Sequence, residues 1–365
     1  MTDTPPSARL GLARVTLGLA VAAVCVLAWS LAVPAETGPH APVPGAPAET
    51  REGIWRAIFA RPEPGETTPA PPELIALGRD LFRDTRLSGS GQASCVSCHD
   101  PARAFTDGRK TAVGPAGAVL PRNAPALYNL AWGTSFFWDG RAATLVDQAR
   151  FPIQAVDELA GDLATIAERL SADNGMKARF AAAFPGRSGG VTESAILDAL
   201  AAYEKSLVSP KTRFDRWVEG DDKALSDEEF RGFDIFVGKG GCVSCHGGWR
   251  LTDDGFHDIG LPGHDLGRGA LTPGAPGLPQ FKTPSLREAA RTAPYMHDGS
   301  LATLEDVVEH YAGGLIERPS LAPTVVRHLS LTPAEKASLV AFLKTLSSEP
   351  ASHASDETSR PMLKK

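Results

Sequence analysis

The clearest chemistry in this 365-residue chain lies in Cys95-Val96-Ser97-Cys98-His99 and Cys242-Val243-Ser244-Cys245-His246. Two thiols three positions apart on a helical turn can both reach the vinyl groups of one haem, and the adjacent histidine then faces the iron as proximal ligand. Rival readings explain less. A disulfide suits an exported protein but gives His99 and His246 no role. A four-cysteine zinc site requires the motifs to converge and ignores the same histidines. A thioredoxin-like pair expects a βαβ setting that is absent. The expected cofactors are therefore two covalent c-type haems, with His99 and His246 on iron. Cys25, the remaining cysteine, follows Val24 rather than a small residue, so it reads as apolar filler and not as a lipid-attachment site.

The far side of each iron decides between electron carriage and peroxide chemistry, because only an open face binds peroxide. Of the four methionines, Met1 and Met362 are terminal and Met176 sits at a polar loop–helix junction. Met296 is the methionine left as a ligand candidate. The other candidates are His257, His264, His297, His310 and Tyr311. His40 and His353 fall in a linker and a tail, and His328 reads as a surface residue on an amphipathic segment.

The elements that must position these groups repeat. Leu74, Leu77, Leu81 and Phe82 form one helical face before the first motif, and Phe230, Phe233 and Phe236 form another before the second. A helix from Glu193 to Leu207 closes the first unit. In the second, Thr332-Pro333-Ala334-Glu335 is a capping-box start, and the helix runs to Leu346 with Leu339, Phe342 and Leu343 on one side. Strand-like runs are scarce, and long Gly/Pro loops such as 255–284 intervene. The fold class expected is mostly α, with domains at 72–210 and 211–348 and a polar tail at 349–365. Residues 36–71, rich in Pro, Ala, Gly and Glu, read as a linker with a helical turn at Ile54 to Phe59.

Residues 1–35 contain an uncharged apolar run from Val15 to Val33 behind Arg9 and Arg14, the layout of a signal peptide or an N-terminal membrane anchor. In either case the body is exported, which places it in the periplasm. The net charge of −6 argues against nucleic acid and against an anionic membrane surface. It permits a basic electron-donor protein.

With both haem motifs in hand, the chain resembles the bacterial dihaem cytochrome c peroxidases, within them the MauG-like branch. The resemblance spans about 72–348. It rests on the two motifs, on Arg122-Asn123-Ala124-Pro125 followed by Phe137-Trp138-Asp139-Gly140-Arg141, on Phe256-His257-Asp258-Ile259-Gly260, on Pro284-Ser285-Leu286-Arg287, and on Ala293-Pro294-Tyr295-Met296-His297-Asp298-Gly299-Ser300. It implies two cytochrome c-like domains packed around an interdomain tryptophan and a calcium site. The N-terminal haem would react with peroxide and the C-terminal haem would relay electrons. Trp138 matches the intervening tryptophan; its bland alternative is a buried aromatic bridging the domains. Gln148, Pro152 and Glu158 match the peroxide-side pocket. A carboxylate there can take a proton from one peroxide oxygen and deliver it to the other, and Ala155, Val156 and Leu159 would raise the pKa of Glu158 by desolvation. The alternative for Glu158 is an exposed acid at a helix start beside Asp157. Asn123, Thr292 and Pro294 match positions that hold calcium, a hard ion suited to oxygen ligands. His297 matches a pocket histidine near the second haem.

Two departures from the ordinary peroxidases bear on mechanism. Their loop after the first haem carries a histidine that caps the iron, whereas Val113-Gly114-Pro115-Ala116-Gly117 has none, nor does the stretch from Asp100 to Ser135. The first iron is thus expected to be open without prior reduction. Their relay haem takes a methionine where this chain has Tyr311, in His310-Tyr311-Ala312-Gly313-Gly314. The MauG-like branch uses tyrosine there, a ligand that favours ferric and higher states; the alternative makes Tyr311 a helix-face aromatic and Met296 the ligand. The expected activity is a dihaem peroxidase using hydrogen peroxide. Electrons would come from a small redox protein, a cytochrome c or cupredoxin, or from a protein substrate as in cofactor maturation. The alternative is a non-enzymatic dihaem electron-transfer cytochrome.

Overall fold

The computed structural model describes residues 48–63, 69–115, 117–188, 190–272 and 278–349. The expected signal or anchor segment, His40, Cys25 and the tail beyond 349 lie outside these residues, as does Ala116. Among the described residues no helix is long and apolar enough to cross a membrane.

Helices dominate: α1 (Ala48–Phe59), α2 (Pro72–Arg83), α3 (Leu145–Gln154), α4 (Leu163–Ser171), α5 (Asn174–Ala183), α6 (Glu193–Ser206), α7 (Arg213–Val218), α8 (Asp227–Val237), α9 (Leu304–Glu309) and α10 (Pro333–Lys344). Their starts follow the sequence closely. Thr332 Oγ1 accepts from the Glu335 amide, and the Glu335 carboxylate accepts from the Thr332 amide, so α10 begins on a true capping box. Thr192, Ser226 and Asp162 each accept from a first-turn amide of α6, α8 and α4, and at Ser226 the bond is reciprocated by Glu229.

Two apolar cores form. The first gathers Leu77, Leu81 and Phe82 of α2 with α4, α5 and the face of α6 containing Ala195, Leu200 and Tyr203. The second gathers Phe214, Trp217, Phe233, Phe236 and Phe342 from α7, α8 and α10. In each, the helix before the haem motif crosses the closing helix through a glycine. A Cβ on Gly78 would overlap the Ala199 carbonyl, and one on Gly232 would overlap the Ser338 carbonyl. Only a residue without a side chain permits this approach, so the two crossings are built alike. Gly232→Ala is expected to lower stability by about 1–3 kcal/mol through overpacking, measured as a lower denaturation midpoint.

Three expectations need correction. The segment 36–71 is not linker throughout: α1 occupies Ala48–Phe59, and Trp55 and Phe59 are buried in the second core, against Phe214 and Phe233. Met176 does stand at the loop–helix junction, its amide donating to the Asp173 cap, but its side chain is buried in the first core and not left in a polar setting. The loop 255–284 contains a short antiparallel pair, β1 (Phe256–His257) and β2 (Phe281–Lys282), with Phe256 opposite Lys282.

Candidate functional site

Each Cys-x-x-Cys segment folds as a single 3-10 turn, Cys95–Ser97 and Cys242–Ser244, which brings its two thiols to one side. Each is followed by a half-buried histidine whose Nδ1 faces a backbone carbonyl. His99 Nδ1 lies 2.9 Å from the Phe105 carbonyl, and His246 Nδ1 lies 2.9 Å from the Leu251 carbonyl. A carbonyl only accepts, so Nδ1 donates in both cases and Nε2 is left with its lone pair, as an iron ligand requires. Burial lowers the pKa of both imidazoles, which keeps them neutral.

Both histidines open onto one continuous cavity of about 940 Å³, lined also by Cys98, Cys242, Cys245 and Trp138. Its wall contains two buried polar atoms without a hydrogen-bond partner, Ser135 Oγ and Arg287 Nη2. An orphaned buried donor is costly unless a ligand satisfies it. A cavity that presents paired thiols, a neutral imidazole nitrogen and an unpaired guanidinium N–H fits haem, whose carboxylates would take that donor. His99 with Cys95 and Cys98 would hold one haem, and His246 with Cys242 and Cys245 the other. Arg287 is itself locked: Nη1 donates to Asp215 at 2.7 Å and Nε to the Trp249 carbonyl at 2.7 Å, with the side chain fully buried.

Gln148 and Pro152 sit one turn apart on α3 and face the same cavity. Pro152 has no amide N–H to donate to the Gln148 carbonyl, a defect tolerated because the helix ends at Gln154. The chain then turns sharply: the Leu159 amide donates to the Pro152 carbonyl, and the Ala160 amide to that of Ala155. Glu158 is on this turn and lines the cavity; it is not at a helix start. Burial raises the pKa of its carboxyl, Asp157 adds to the rise, and Arg141 opposes it. Val156 does not contribute, contrary to expectation: it is 84% exposed. The Val113–Val119 bridge makes a hairpin that seats Gly114 directly on the Asp157 carbonyl, so the histidine-free loop packs against the Glu158 turn.

Trp138 is held from both sides. Its Nε1 donates to the Asn123 carbonyl at 2.9 Å, and its own carbonyl accepts from the Lys282 amide of β2 at 2.8 Å. The Asn123 amide in turn donates to the His297 carbonyl. Arg122 ties the same region by donating to Asp139 at 2.6 Å and to Asp265 at 2.7 and 3.0 Å. Burial alone would raise Asp139, but Arg122 and Arg141 hold it below the usual carboxylate range. Asn123, Thr292 and Pro294 all reach the cavity wall. The Asn123 side-chain amide donates to the Arg109 carbonyl at 2.8 Å.

The axial candidates separate. His264 and His328 are exposed. His310 donates through Nε2 to the Ile259 carbonyl, and His297 stacks flat on Phe281 with centroids 3.5 Å apart. His257 pairs with Asp253 at 2.8 Å. Cys245, Asp253 and His257 bring donor atoms together, but Cys245 belongs to the second Cys-x-x-Cys-His motif. Met296 and Tyr311 both line the cavity. Tyr311 packs on the second core within a π-helical turn, His310–Gly314, a distortion often found at functional sites. Burial, with Cys242 and Cys245 adding to it, pushes its phenol pKa up. Sequence reasoning missed Ser135 and the isolated Arg287 donor, because their lack of a partner is a tertiary property.

A family model described as di-haem cytochrome c peroxidase matches residues 72–223. The methylamine utilization protein MauG of Methylorubrum extorquens is 46% identical over 302 residues, which are 81% of this chain and 85% of that protein. The chain belongs to the dihaem cytochrome c peroxidase family, in its MauG-like branch. This dihaem peroxidase is also 34% identical to cytochrome-c peroxidase IdrP1 of Denitromonas iodatirespirans, over 93% of this chain and 94% of that one. A crystal structure of a MauG-like protein associated with microbial copper homeostasis superposes with a TM-score of 0.72 at 35% identity, covering 79% of this chain and 95% of the other. The relatives are haem oxidoreductases, and the reading as a plain electron carrier is not favoured.

Proposed function

We propose that this dihaem peroxidase reduces hydrogen peroxide in its first domain, residues 72–210, and relays electrons through its second, residues 211–348. The observation that carries this reading is the convergence of His99, Gln148, Pro152 and Glu158 on a cavity that continues past Trp138 to His246 and Tyr311. His99, Cys95 and Cys98 would hold the haem, which would supply the iron chemistry that reduces the O–O bond. Glu158 takes the proton from the nearer peroxide oxygen and returns it to the farther one, which then leaves as water. Gln148, a neutral donor and acceptor, orients the peroxide. Pro152 offers no N–H and keeps that part of the wall apolar. Trp138, fixed by the Asn123 carbonyl, is the stepping stone between the halves.

Tyr311, in preference to Met296, would hold the C-terminal haem together with His246. A buried phenol ionises only opposite a cation, and ferric iron beside Cys242 and Cys245 would be one. Tyr311→Phe is therefore expected to change the absorption spectrum of the haem held by His246. An unchanged spectrum would remove Tyr311 from the coordination sphere.

Asn123, Thr292 and Pro294 are proposed to hold one calcium ion through oxygen atoms and water. Prolonged dialysis against a calcium chelator is expected to slow peroxide turnover and to shift both haem spectra, with recovery on adding calcium. We place the protein in the periplasm, exported by its N-terminal apolar run. Its electrons come from a small redox protein, cytochrome c or cupredoxin, or from a protein substrate of the kind a maturation enzyme oxidises. The test of the whole reading is to mix the purified ferric protein with peroxide. Loss of the ferric spectrum supports it, and an inert spectrum overturns it. Offering reduced cytochrome c, cupredoxin and quinoprotein precursors side by side then identifies the donor.

A further inference from the structure

Arg141 brings a cation to the peroxide-side wall of the cavity, from the same hairpin that carries Trp138. The Phe136 amide donates to the Ala142 carbonyl at 2.9 Å, and the Gly140 amide to that of Phe137 at 3.2 Å, which folds the hairpin tightly. Gly140 takes φ +67°, and a Cβ there would strike the Phe256 ring, so the turn is seated against β1. Phe137 holds φ +69°, a sparsely populated conformation for a bulky residue that persists where the surroundings impose it. The Arg141 guanidinium lies over the Phe137 ring, 3.6 Å from its centre, with the Phe151 ring of α3 5.5 Å away. Asp139 accepts from Arg141 Nη1 at 3.0 and 3.1 Å and from Arg122 at 2.6 Å, so its charge is divided between two guanidiniums. Arg141 Nε and Nη2 donate to no described residue. Arg141 and Phe137 line the cavity together with Gln148, Pro152 and Glu158. The charged groups that act on Glu158 are Asp157, on its own turn, and Arg141, from this hairpin. Cys95 and Cys98, the thiols within its electrostatic reach, carry no charge once they are thioethers.

We propose that Arg141 is a further residue of the peroxide reaction, a fixed cation that favours a small anion in the pocket formed with Gln148 and Glu158. The proposal rests on the peroxidase reading for its substrate. Glu158, once ionised, takes a proton from hydrogen peroxide, which leaves a neutral carboxyl and a hydroperoxide anion. One O–H bond breaks and another forms, so the pocket holds a single negative charge before and after the step. Arg141 acts on that charge in both places. It stabilises the carboxylate that must be present for the transfer, and then the anion that the transfer creates. The aromatic face of Phe137 holds the cation without engaging its Nε and Nη2 donors. Asp139 anchors it without quenching it, because Asp139 also serves Arg122. Arginine suits this place better than lysine, since a planar group can lie on a ring, bind a carboxylate and still present N–H donors. The side chain is 31% exposed, so solvent and salt moderate its effect.

The test uses the full, haem-loaded ferric chain and two ligands of open ferric haem. Fluoride is the anion and imidazole the neutral control, each titrated by absorption. Arg141→Met is expected to weaken fluoride binding about tenfold and to leave imidazole binding unchanged. Arg141→Lys, which keeps the charge and loses the planar fork, is expected to recover part of the loss. The second readout is the rate of reaction with hydrogen peroxide against pH. Without Arg141, burial and Asp157 act on Glu158 unopposed, so its carboxylate forms at higher pH. The rise in rate is expected to move to higher pH in Arg141→Met, with Arg141→Lys between that variant and the wild type. The resting ferric spectrum of each variant verifies that it has folded. Weakened fluoride binding in a protein inert to peroxide would support the anion site while removing the peroxidase reading. A fluoride affinity or a peroxide profile indifferent to Arg141→Met would overturn the proposal. So would an equal loss of imidazole binding, or an Arg141→Lys variant no better than Arg141→Met.

Discussion

Replacing Glu158 with glutamine is expected to slow the reaction with hydrogen peroxide by about 10²–10⁴-fold, the usual contribution of a positioned acid–base group. Glutamine keeps the shape of the side chain and its place on the turn after α3, so the haem spectrum at rest should not change. The pH dependence is the sharper diagnostic. Burial raises the carboxyl pKa, with Asp157 adding and Arg141 opposing. Glu158 therefore retains its proton to higher pH than a free carboxyl, and it accepts a proton from peroxide only once ionised. The wild-type rate should rise with pH through that elevated pKa and then level off, and the glutamine variant should lack the rise. Stopped-flow loss of the ferric Soret band at several pH values measures both. A wild-type rate and profile in the variant would make Glu158 a bystander.

Arg287→Met is expected to destabilise the protein by about 3–5 kcal/mol near neutral pH, because it strands a buried charge. Asp215 is almost wholly buried and caps α7 through the Thr212 amide, so it cannot retreat to water. Arg61, at 3.3 Å, is the cation that would remain. The sign of the pH effect follows. In the native protein burial would raise the pKa of Asp215, but Arg287 overrides this and holds it low. That contribution is present above the unfolded-state value of about 3.9 and is lost as pH falls through the lower folded value. Without Arg287, burial prevails and the folded value rises above the unfolded one. The penalty should then grow as pH rises from about 4 toward neutrality, and shrink in acid where Asp215 is protonated. Urea denaturation at acid and neutral pH, followed by tryptophan fluorescence, tests this. A cost independent of pH would show that packing and not charge is lost.

Much of the scaffold was legible because it depends on local rules. The apolar faces of α2 and α8, the capping box of α10 and the span of α6 are short-range patterns, and the structure keeps them. The haem motifs were legible for the same reason, since two thiols and an imidazole on one turn have one economical use. What was missed depends on partners distant in sequence. Trp55 and Phe59 are one helical turn apart in a stretch whose composition suggests linker, and only Phe214 and Phe233 make them core. Nothing local marks Gly78 and Gly232 as crossing points, because the demand comes from a carbonyl on another helix. Val156 looked like part of a desolvating shell around Glu158, but the tight turn sends it to solvent. Two-residue strands such as β1 and β2 have too few positions to alternate. The Arg287 motif was visible, whereas its spare N–H and its buried partner Asp215 were not.

The position of α1 bears on how the molecule is assembled. This helix precedes both haem motifs in the chain, yet Trp55 and Phe59 are buried against Phe214 of α7 and Phe233 of α8. As the chain lengthens, Trp55 and Phe59 have no partners until α7 and α8 exist. The second core is thus closed by a helix from the far side of the first, so the two halves are joined by packing as well as by the chain between them.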